Sequence, residues 1–371
     1  MKFKDIYGQE GTKTYLKSLI ERNRFPHAIL FSGKKGCGKL ALALATAAYI
    51  QCRNRIDGDS CGECPSCRKS FQLIHPDIHY VFPTYSKDTK SQPSSAFYEK
   101  WRERIKMHPY FDLNDWMDEI EGAKKKANIP KVSLLEMNKN FSLRIYEGNK
   151  KISIIWQSEL MEKEGNRILK LIEEPPENSV FIFLTENLDQ ILSTIISRCQ
   201  VVKIPPFTDD DLKLYLSEKM EVDPLKKDQI VQLADGNMHE MIKLSEYIQT
   251  DVYAEVFDWL RLSFKGNALD IINWSETFLK KSNHEQIYFY KYGLKLFKQF
   301  LMSYSLPREE IRLTDESFQI LENLKAVIDH EKLFQITALL NDCIRNRERN
   351  ANVKLQMINS SLTLHKLMTG K

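Results

Sequence analysis

The sequence lacks an uninterrupted apolar run of membrane-spanning length, and its first residues lack the apolar segment of a signal peptide. We therefore expect a cytosolic protein with no membrane partner. Strong charge of one sign is also missing, because 54 Lys and Arg residues are balanced by 50 Asp and Glu residues. The net charge of +4 permits a nucleic-acid partner without demonstrating one. At 371 residues, 42% of them hydrophobic, the chain is long enough for two or three domains.

The seven cysteines are unevenly distributed. Four of them, Cys52, Cys61, Cys64 and Cys67, follow the spacing C-x8-C-x2-C-x2-C. A reducing cytosol disfavours a disulfide framework, and thiolates separated by two residues can reach one tetrahedral metal ion from a tight turn. The spacing therefore predicts a closed four-cysteine structural zinc site. A chance cluster of free thiols is the alternative.

Segment 33–39 has the phosphate-binding pattern G-x-x-x-x-G-K, between an apolar run and a helix-like run. In this setting glycines let backbone N–H groups close around phosphate oxygens at a helix N-terminus. The candidate nucleotide-binding residues are Gly33, Gly36, Gly38 and Lys39. Active sites continue with Ser or Thr, whose hydroxyl holds Mg²⁺. Here the next residue is Leu40, which indicates a loop without its metal ligand.

The second half of a hydrolytic site is missing as well. A P-loop ATPase needs two carboxylates after a later strand, one for Mg²⁺ and one for the attacking water. The apolar run at 152–155 is followed by Trp156 and Gln157, and Glu159 is out of register. We therefore expect neither Mg²⁺ binding nor hydrolysis. Two alternatives stay open: the loop binds ATP or ADP without turnover, or its glycines persist only because the turn requires them.

Short β-rich runs alternate with helix-like runs over the first two hundred residues. This pattern predicts a parallel sheet with helices on both faces. Strands are expected at 28–32, 78–82, 152–156, 180–185 and 200–204. The polar stretch at 83–128 interrupts the pattern, and we interpret it as an insertion with a flexible start, helical later parts and no evident chemistry.

From residue 209 onwards the pattern is helical almost throughout. We expect an α/β P-loop domain at 1–206, which includes the four-cysteine module at 52–67 and the insertion at 83–128. A small helical lid at 207–248 and an all-α domain at 249–371 should follow. An apolar stripe between 294 and 301 predicts core or subunit interface in the last domain.

Several short motifs follow one another in a characteristic order. Besides the phosphate-binding loop and the cysteine module, they are Tyr7-Gly8-Gln9-Glu10, His27-Ala28-Ile29-Leu30-Phe31, His75-Pro76-Asp77, Asn166-x-x-Leu169-Lys170-x-x-Glu173-Glu174-Pro175-Pro176 and Ser197-Arg198-Cys199. Together they resemble the bacterial clamp-loader subunits of the AAA+ superfamily. The eroded nucleotide site makes the chain most similar to the delta-prime subunits of DNA polymerase III. The resemblance covers residues 1 to about 248, and the rest matches only as a helical domain.

This resemblance implies a structural subunit of the replicative clamp loader that is not an enzyme by itself. Arg198 stands at the position of an arginine finger, which acts in trans on the ATP of a neighbouring subunit. The implied partners are the gamma/tau-like ATPase and delta subunits, the sliding clamp and primed DNA, with 249–371 as the oligomerising collar. Thr185 and Asn187 match a polar sensor, and His239 stands where active relatives have an arginine sensor. Zinc ligation by the four cysteines is implied too.

Two other functions are considered. An active gamma/tau-like ATPase would need Glu159 or another acid to replace the missing pair, and Leu40, Trp156 and Gln157 argue against it. A stand-alone zinc-containing nucleic-acid binder would need a concentrated basic patch with interleaved aromatic residues around 52–67, which the sequence lacks.

Overall fold

The computed structural model describes residues 1–371 except 88–89, 123–124, 248–251, 312, 314, 350 and 371. The chain forms two compact units. Unit 1 comprises residues 1–222 and 234–242, and unit 2 comprises residues 223–233 and 243–371. The boundary expected at 248–249 lies outside the described residues, so the three-domain division stays a prediction.

The strands of unit 1 are β1 (Ala28–Ser32), β2 (Ile78–Val81), β3 (Ser86–Lys87), β4 (Lys90–Ser91), β5 (Lys151–Trp156), β6 (Ser179–Thr185) and β7 (Gln200–Lys203). Five of them form a parallel sheet in the order β2-β5-β6-β1-β7, and β3 pairs with β4. Every residue of β5 and β6 is buried, which explains their largely apolar sequences. The predicted fold class is confirmed, and each expected strand end agrees within one residue.

The helices of unit 1 are α1 (Glu10–Glu21), α2 (Lys39–Gln51), α3 (Pro65–Phe71), α4 (Tyr98–Met107), α5 (Leu113–Glu119), α6 (Lys131–Ser142), α7 (Leu169–Glu173), α8 (Ser193–Ile196) and α9 (Asp209–Lys219). A 3-10 segment, Ser158–Ile168, follows β5. Helix α2 follows β1 directly and is buried along its whole length, as its Ala- and Leu-rich sequence allows. Helices α4 and α5 are the helical later parts expected of the insertion.

Helices are the regular secondary structure of unit 2 among its described residues. Its helices are α10 (Pro224–Ala234), the later part of α11 (Met238–Tyr247), α12 (Val252–Lys265), α13 (Ala268–Leu279), α14 (Asn283–Met302), α15 (Asp315–Leu324), α16 (His330–Glu348) and α17 (Val353–Thr369). Leu296, Phe297 and Phe300 of the expected apolar stripe are buried core residues. Among the described helices, none combines the length and hydrophobicity that a transmembrane span requires.

Candidate functional site

The phosphate-binding loop, residues 33–39, connects β1 to the start of α2. Gly36 and Gly38 have φ angles of +72° and +85°, in the left-handed region that favours glycine. The buried Lys39 donates from Nζ to the carbonyl oxygens of Gly33 at 2.7 Å and Lys34 at 2.8 Å. Its ammonium group is therefore bound by the backbone of its own loop.

Residues distant in sequence pack directly on the glycines of this loop. A Cβ on Gly36 would overlap the side-chain amide of Asn237, and a Cβ on Gly38 would lie 2.9 Å from the ring of Phe207. The N–H of Met238 donates to the carbonyl oxygen of Gly36 at 3.1 Å. The space beside both glycines is thus filled by unit 1 itself.

The insertion supplies a carboxylate to the same loop. Asp112 Oδ2 lies 2.5 Å from Lys35 Nζ and 3.3 Å from His239 Nε2. Asp112 is 4% exposed, and its Oδ1 accepts the N–H of Asp115 to cap α5. Burial raises the pKa of the Asp112 carboxyl, but the hydrogen bond with His239 and the charge of Lys35 hold that pKa well below its ordinary value. The group is therefore an ionised partner for Lys35 at neutral pH.

Asp112, Asp115 and His239 have ligand atoms within 4.8 Å of one another, as a metal site would require. However, each carboxylate already faces a cation, because Lys35 pairs with Asp112 and Arg104 Nη2 lies 3.5 Å from Asp115 Oδ2. A divalent ion here would have to displace or tolerate those charges. We interpret the cluster as an ion-pair network between the insertion, the loop and the start of α11, and we assign no metal to it.

Aromatic residues of the insertion cover the end of β5. Trp156 is 4% exposed, and its ring centroid lies 5.3 Å from that of Trp101 and 5.1 Å from that of Phe111. Trp101 also stacks on Phe82, next to the end of β2, at 4.2 Å. An apolar cluster therefore occupies the position at which a hydrolytic site needs its acidic pair.

Glu159, the acid that remains near this position, is engaged locally. Its Oε1 accepts the N–H of Glu186 at 3.0 Å, and burial raises the pKa of its carboxyl, which disfavours the ionised form. The Gln157 amide donates to the Glu186 carboxylate at 3.0 Å. Thr185 and Asn187, the expected polar sensor, form a local turn in which Thr185 Oγ1 accepts the N–H of Asn187.

Arg198 lies at the surface between α8 and β7, with its side chain 37% exposed. Its Nη2 is 2.6 Å from Glu173 Oε1. Its Nη1 donates to the carbonyl oxygen of Thr194 at 2.9 Å and to Ser197 Oγ at 3.1 Å. The guanidinium is thus held against its own chain and remains partly exposed.

The four cysteine thiols of the module converge, with every Sγ within 4.8 Å of the others. The N–H groups of Cys61, Cys64 and Cys67 point at the sulfur atoms of Cys52, Cys61 and Cys64, at 3.3 to 3.4 Å. Such contacts stabilise thiolates, and four sulfur donors suit tetrahedral zinc. The residues therefore fit a closed structural zinc site.

The cysteine module also joins segments that are distant in sequence. Asp59 accepts the N–H groups of Phe3 at 3.2 Å and Lys4 at 2.9 Å. On the other side Lys69 of α3 pairs with Glu147 at 2.6 Å. The module therefore connects the first residues of the chain to the segment that leads into β5.

Residues 8–208, more than half of the chain, match the family model described as DNA polymerase III, delta subunit. The chain belongs to this DNA polymerase III delta-subunit family. It is also 27% identical over 282 residues to DNA polymerase III subunit delta' of Bacillus subtilis (strain 168). The aligned region covers 73% of this chain and 70% of that protein. The predicted resemblance to the clamp-loader group of the AAA+ superfamily is therefore confirmed.

Relatives of the gamma type are matched as well. The chain is 24% identical over 253 residues to DNA polymerase III subunit gamma of Buchnera aphidicola subsp. Acyrthosiphon pisum (strain APS), covering 66% of this chain and 58% of that protein. A gamma subunit-related protein of Thermotoga maritima is 14% identical, with a TM-score of 0.41 over 95% of this chain and 98% of that one. The family assignment rests on the sequence matches.

In this member of the delta-subunit family, the predicted loop residues and His239 lie near Asp112, a residue that the sequence analysis did not single out. Lys39 and the loop glycines lie in one loop between β1 and α2, and their role in nucleotide binding stays a prediction. His239 is 2% exposed and faces Asp112 and Asp115, so it has no open path to a phosphate in this arrangement. Asp112 was missed because the insertion carried no motif. The aromatic residues in that polar stretch could have indicated that the insertion packs onto the domain, since large aromatic side chains are usually buried.

Proposed function

We propose that this chain is a non-hydrolysing structural subunit of a replicative clamp loader, with an arginine finger that acts on the ATP of a neighbour. Its family and its similarity to a delta' subunit support the clamp-loader role. The observation that carries the finer proposal is the filled nucleotide site: Asp112 pairs with Lys35 of the loop, and the insertion covers Trp156.

The chain's own site lacks the ligands for hydrolysis, and contacts within unit 1 engage its phosphate-binding loop. Leu40 offers no hydroxyl to Mg²⁺, and Trp156 and Gln157 offer no carboxylate. Asn237 packs on Gly36, and Lys39 is bound by loop carbonyls. We therefore favour the alternative in which the loop glycines persist for the turn, and we expect neither ATP nor ADP to bind.

In this proposal Arg198 supplies a positive charge to the ATP site of the neighbouring subunit. A guanidinium presents a planar fork of donors that matches the oxygens of a γ-phosphate and stabilises the charge that develops during transfer. Its position at the surface, 37% exposed, is compatible with a role in trans. The subunit can therefore lose its own hydrolysis and still be required for that of the complex.

The same role determines the partners, the oligomerising region and the metal of the subunit. The partners are a gamma/tau-like ATPase subunit, a delta subunit, the sliding clamp and primed DNA, in the cytosol. Residues 249–371 form the oligomerising collar. One zinc ion, held by Cys52, Cys61, Cys64 and Cys67, has a structural role, since a four-cysteine site leaves no open position for a substrate.

Nucleotide turnover by the isolated chain and by the reconstituted loader tests this proposal. We expect no Mg²⁺-dependent ATPase activity and no binding of a fluorescent ATP analogue by the isolated chain. A loader assembled without this chain should lose its clamp- and DNA-stimulated turnover, and adding the chain should restore it. Full stimulated activity without the chain would contradict the proposal.

An active gamma/tau-like ATPase is the second candidate, because gamma relatives are matched at 24% identity. It predicts the opposite result for the isolated chain, namely Mg²⁺-dependent turnover that is lost in Lys39→Ala. The filled loop and the buried Trp156 argue against it.

A further inference from the structure

We propose that Glu173 holds the Arg198 finger in a parked state and competes with the γ-phosphate of the neighbouring subunit for its guanidinium. This inference rests on the proposed function of Arg198. Glu173 is the last residue of α7, and Arg198 follows α8, so two separate elements set the contact. Glu173 acts through Arg198 and is therefore a positioning residue.

The contact uses the same donors that a phosphate would need. Nη2 of Arg198 faces Glu173 Oε1 at 2.6 Å, while Nη1 donates to Thr194 and Ser197. Both terminal nitrogens are therefore engaged within the chain. Arginine binds phosphate oxygens in a bidentate manner through adjacent N–H groups, and any such pair includes a terminal nitrogen that is already engaged, so the neighbour's phosphate competes with these partners.

Solvent exposure keeps the free-energy cost of breaking the Arg198–Glu173 ion pair small. The side chains are 37% exposed for Arg198 and 44% exposed for Glu173, so solvent screens their attraction. A multiply charged γ-phosphate in a partly desolvated site is the stronger partner once the subunits are aligned. Before alignment the carboxylate is the better partner. Glu173 thus makes engagement of the finger depend on correct assembly with clamp and DNA.

Replacing Glu173 by glutamine removes the competing charge and nearly preserves the shape. In a loader reconstituted with Glu173→Gln, we expect ATP turnover without clamp and DNA to rise about two- to fivefold. The upper limit is the roughly 1 kcal/mol of an exposed ion pair, converted at 1.36 kcal/mol per factor of ten. The kcat with clamp and primed DNA should equal that of the wild type, because exchange is then complete.

Glu174→Gln is the matched control, since it removes the same charge one residue further along the exposed surface. Its basal turnover should stay at the wild-type level. In the Arg198→Ala background, Glu173→Gln should change nothing, because no guanidinium remains to release. Size-exclusion chromatography of each loader verifies that the subunits assemble equally.

The possible failures are distinguishable. Basal turnover of Glu173→Gln at or below that of the wild type, or a reduced stimulated kcat, overturns the parking role and leaves the finger itself unaffected. A rise that persists without Arg198 also overturns it. If Arg198→Ala alone leaves an assembled loader at full activity, the proposed function fails first.

Discussion

The Asp112 carboxylate lies 2.5 Å from the Lys35 ammonium group, which joins the insertion to the phosphate-binding loop. The same carboxylate contacts His239 and caps α5. One buried anion therefore fixes three segments of unit 1 around the place where a nucleotide would bind. The consequences for stability can be measured directly.

Asp112→Ala should destabilise unit 1 by about 2–4 kcal/mol, because it removes a helix cap, leaves Lys35 without its carboxylate and removes one of the two carboxylates that face the buried His239. Urea unfolding followed by tryptophan fluorescence measures this change. Asp118→Ala, an exposed position on the same helix, is the control and should cost less than about 0.5 kcal/mol. Equal stability of the two variants would show that the network contributes nothing.

The stability that Asp112 contributes should depend on pH. Its pKa is lower in the folded chain than in the unfolded one, so the contribution is complete above the unfolded value of about 3.9 and is lost as the pH falls through the folded value. The difference in unfolding free energy between wild type and Asp112→Asn should be constant from about pH 5 to 7 and should shrink below about pH 4. Urea titrations across this range measure it, and a difference that grows in acid would be the wrong sign.

The sheet was predictable because each strand leaves a local signal. Runs such as 180–185 are continuous and apolar, and burial on both faces requires that composition. The phosphate-binding loop was equally local, since its glycines, Lys39 and the following helix are adjacent in sequence.

The contents of the nucleotide site were not predictable in this way. Asp112 and Lys35 are far apart in sequence, Asp112 belongs to no motif, and Lys35 stands at a variable position of the loop pattern. The sequence showed that Trp156 and Gln157 replace the acidic pair, but it did not show that Trp101 and Phe111 would cover Trp156. Such contacts depend on how the insertion folds back onto the sheet, and a single sequence does not specify that path.

Trp156→Ala should destabilise unit 1 by about 3–5 kcal/mol, because it leaves a cavity between Trp101, Phe111 and the sheet. Tyr146→Ala provides the comparison, since that aromatic side chain is 80% exposed. Thermal and urea unfolding report both changes. If Trp156→Ala is as mild as Tyr146→Ala, the aromatic cluster does not close the site.

The cysteine module should contain one zinc ion per chain, measured by mass spectrometry of the metal in purified protein. Cys67→Ser should lose most of the zinc, because Cys67 is fully buried among the other thiols. Cys199→Ser, which lies outside the module, should retain it. A wild-type protein purified without zinc and unable to bind it would leave the four thiols as a free cluster.

Zinc removal should also loosen the segments that the module connects. Chelation should increase amide hydrogen exchange at Phe3 and Lys4, which donate to Asp59, and around Glu147, which pairs with Lys69. Exchange in β6 should change little, since that strand lies in the buried sheet.

The most direct test of the account is the rate of ATP hydrolysis at the neighbour's site in assembled loaders. It compares the wild type with Arg198→Ala and with Arg167→Ala, whose arginine is similarly exposed at 40% and pairs with Glu164. We predict that Arg198→Ala lowers the single-turnover rate at that site by roughly 10³-fold, whereas Arg167→Ala leaves it unchanged. An assembled Arg198→Ala loader with the wild-type rate would contradict the central claim.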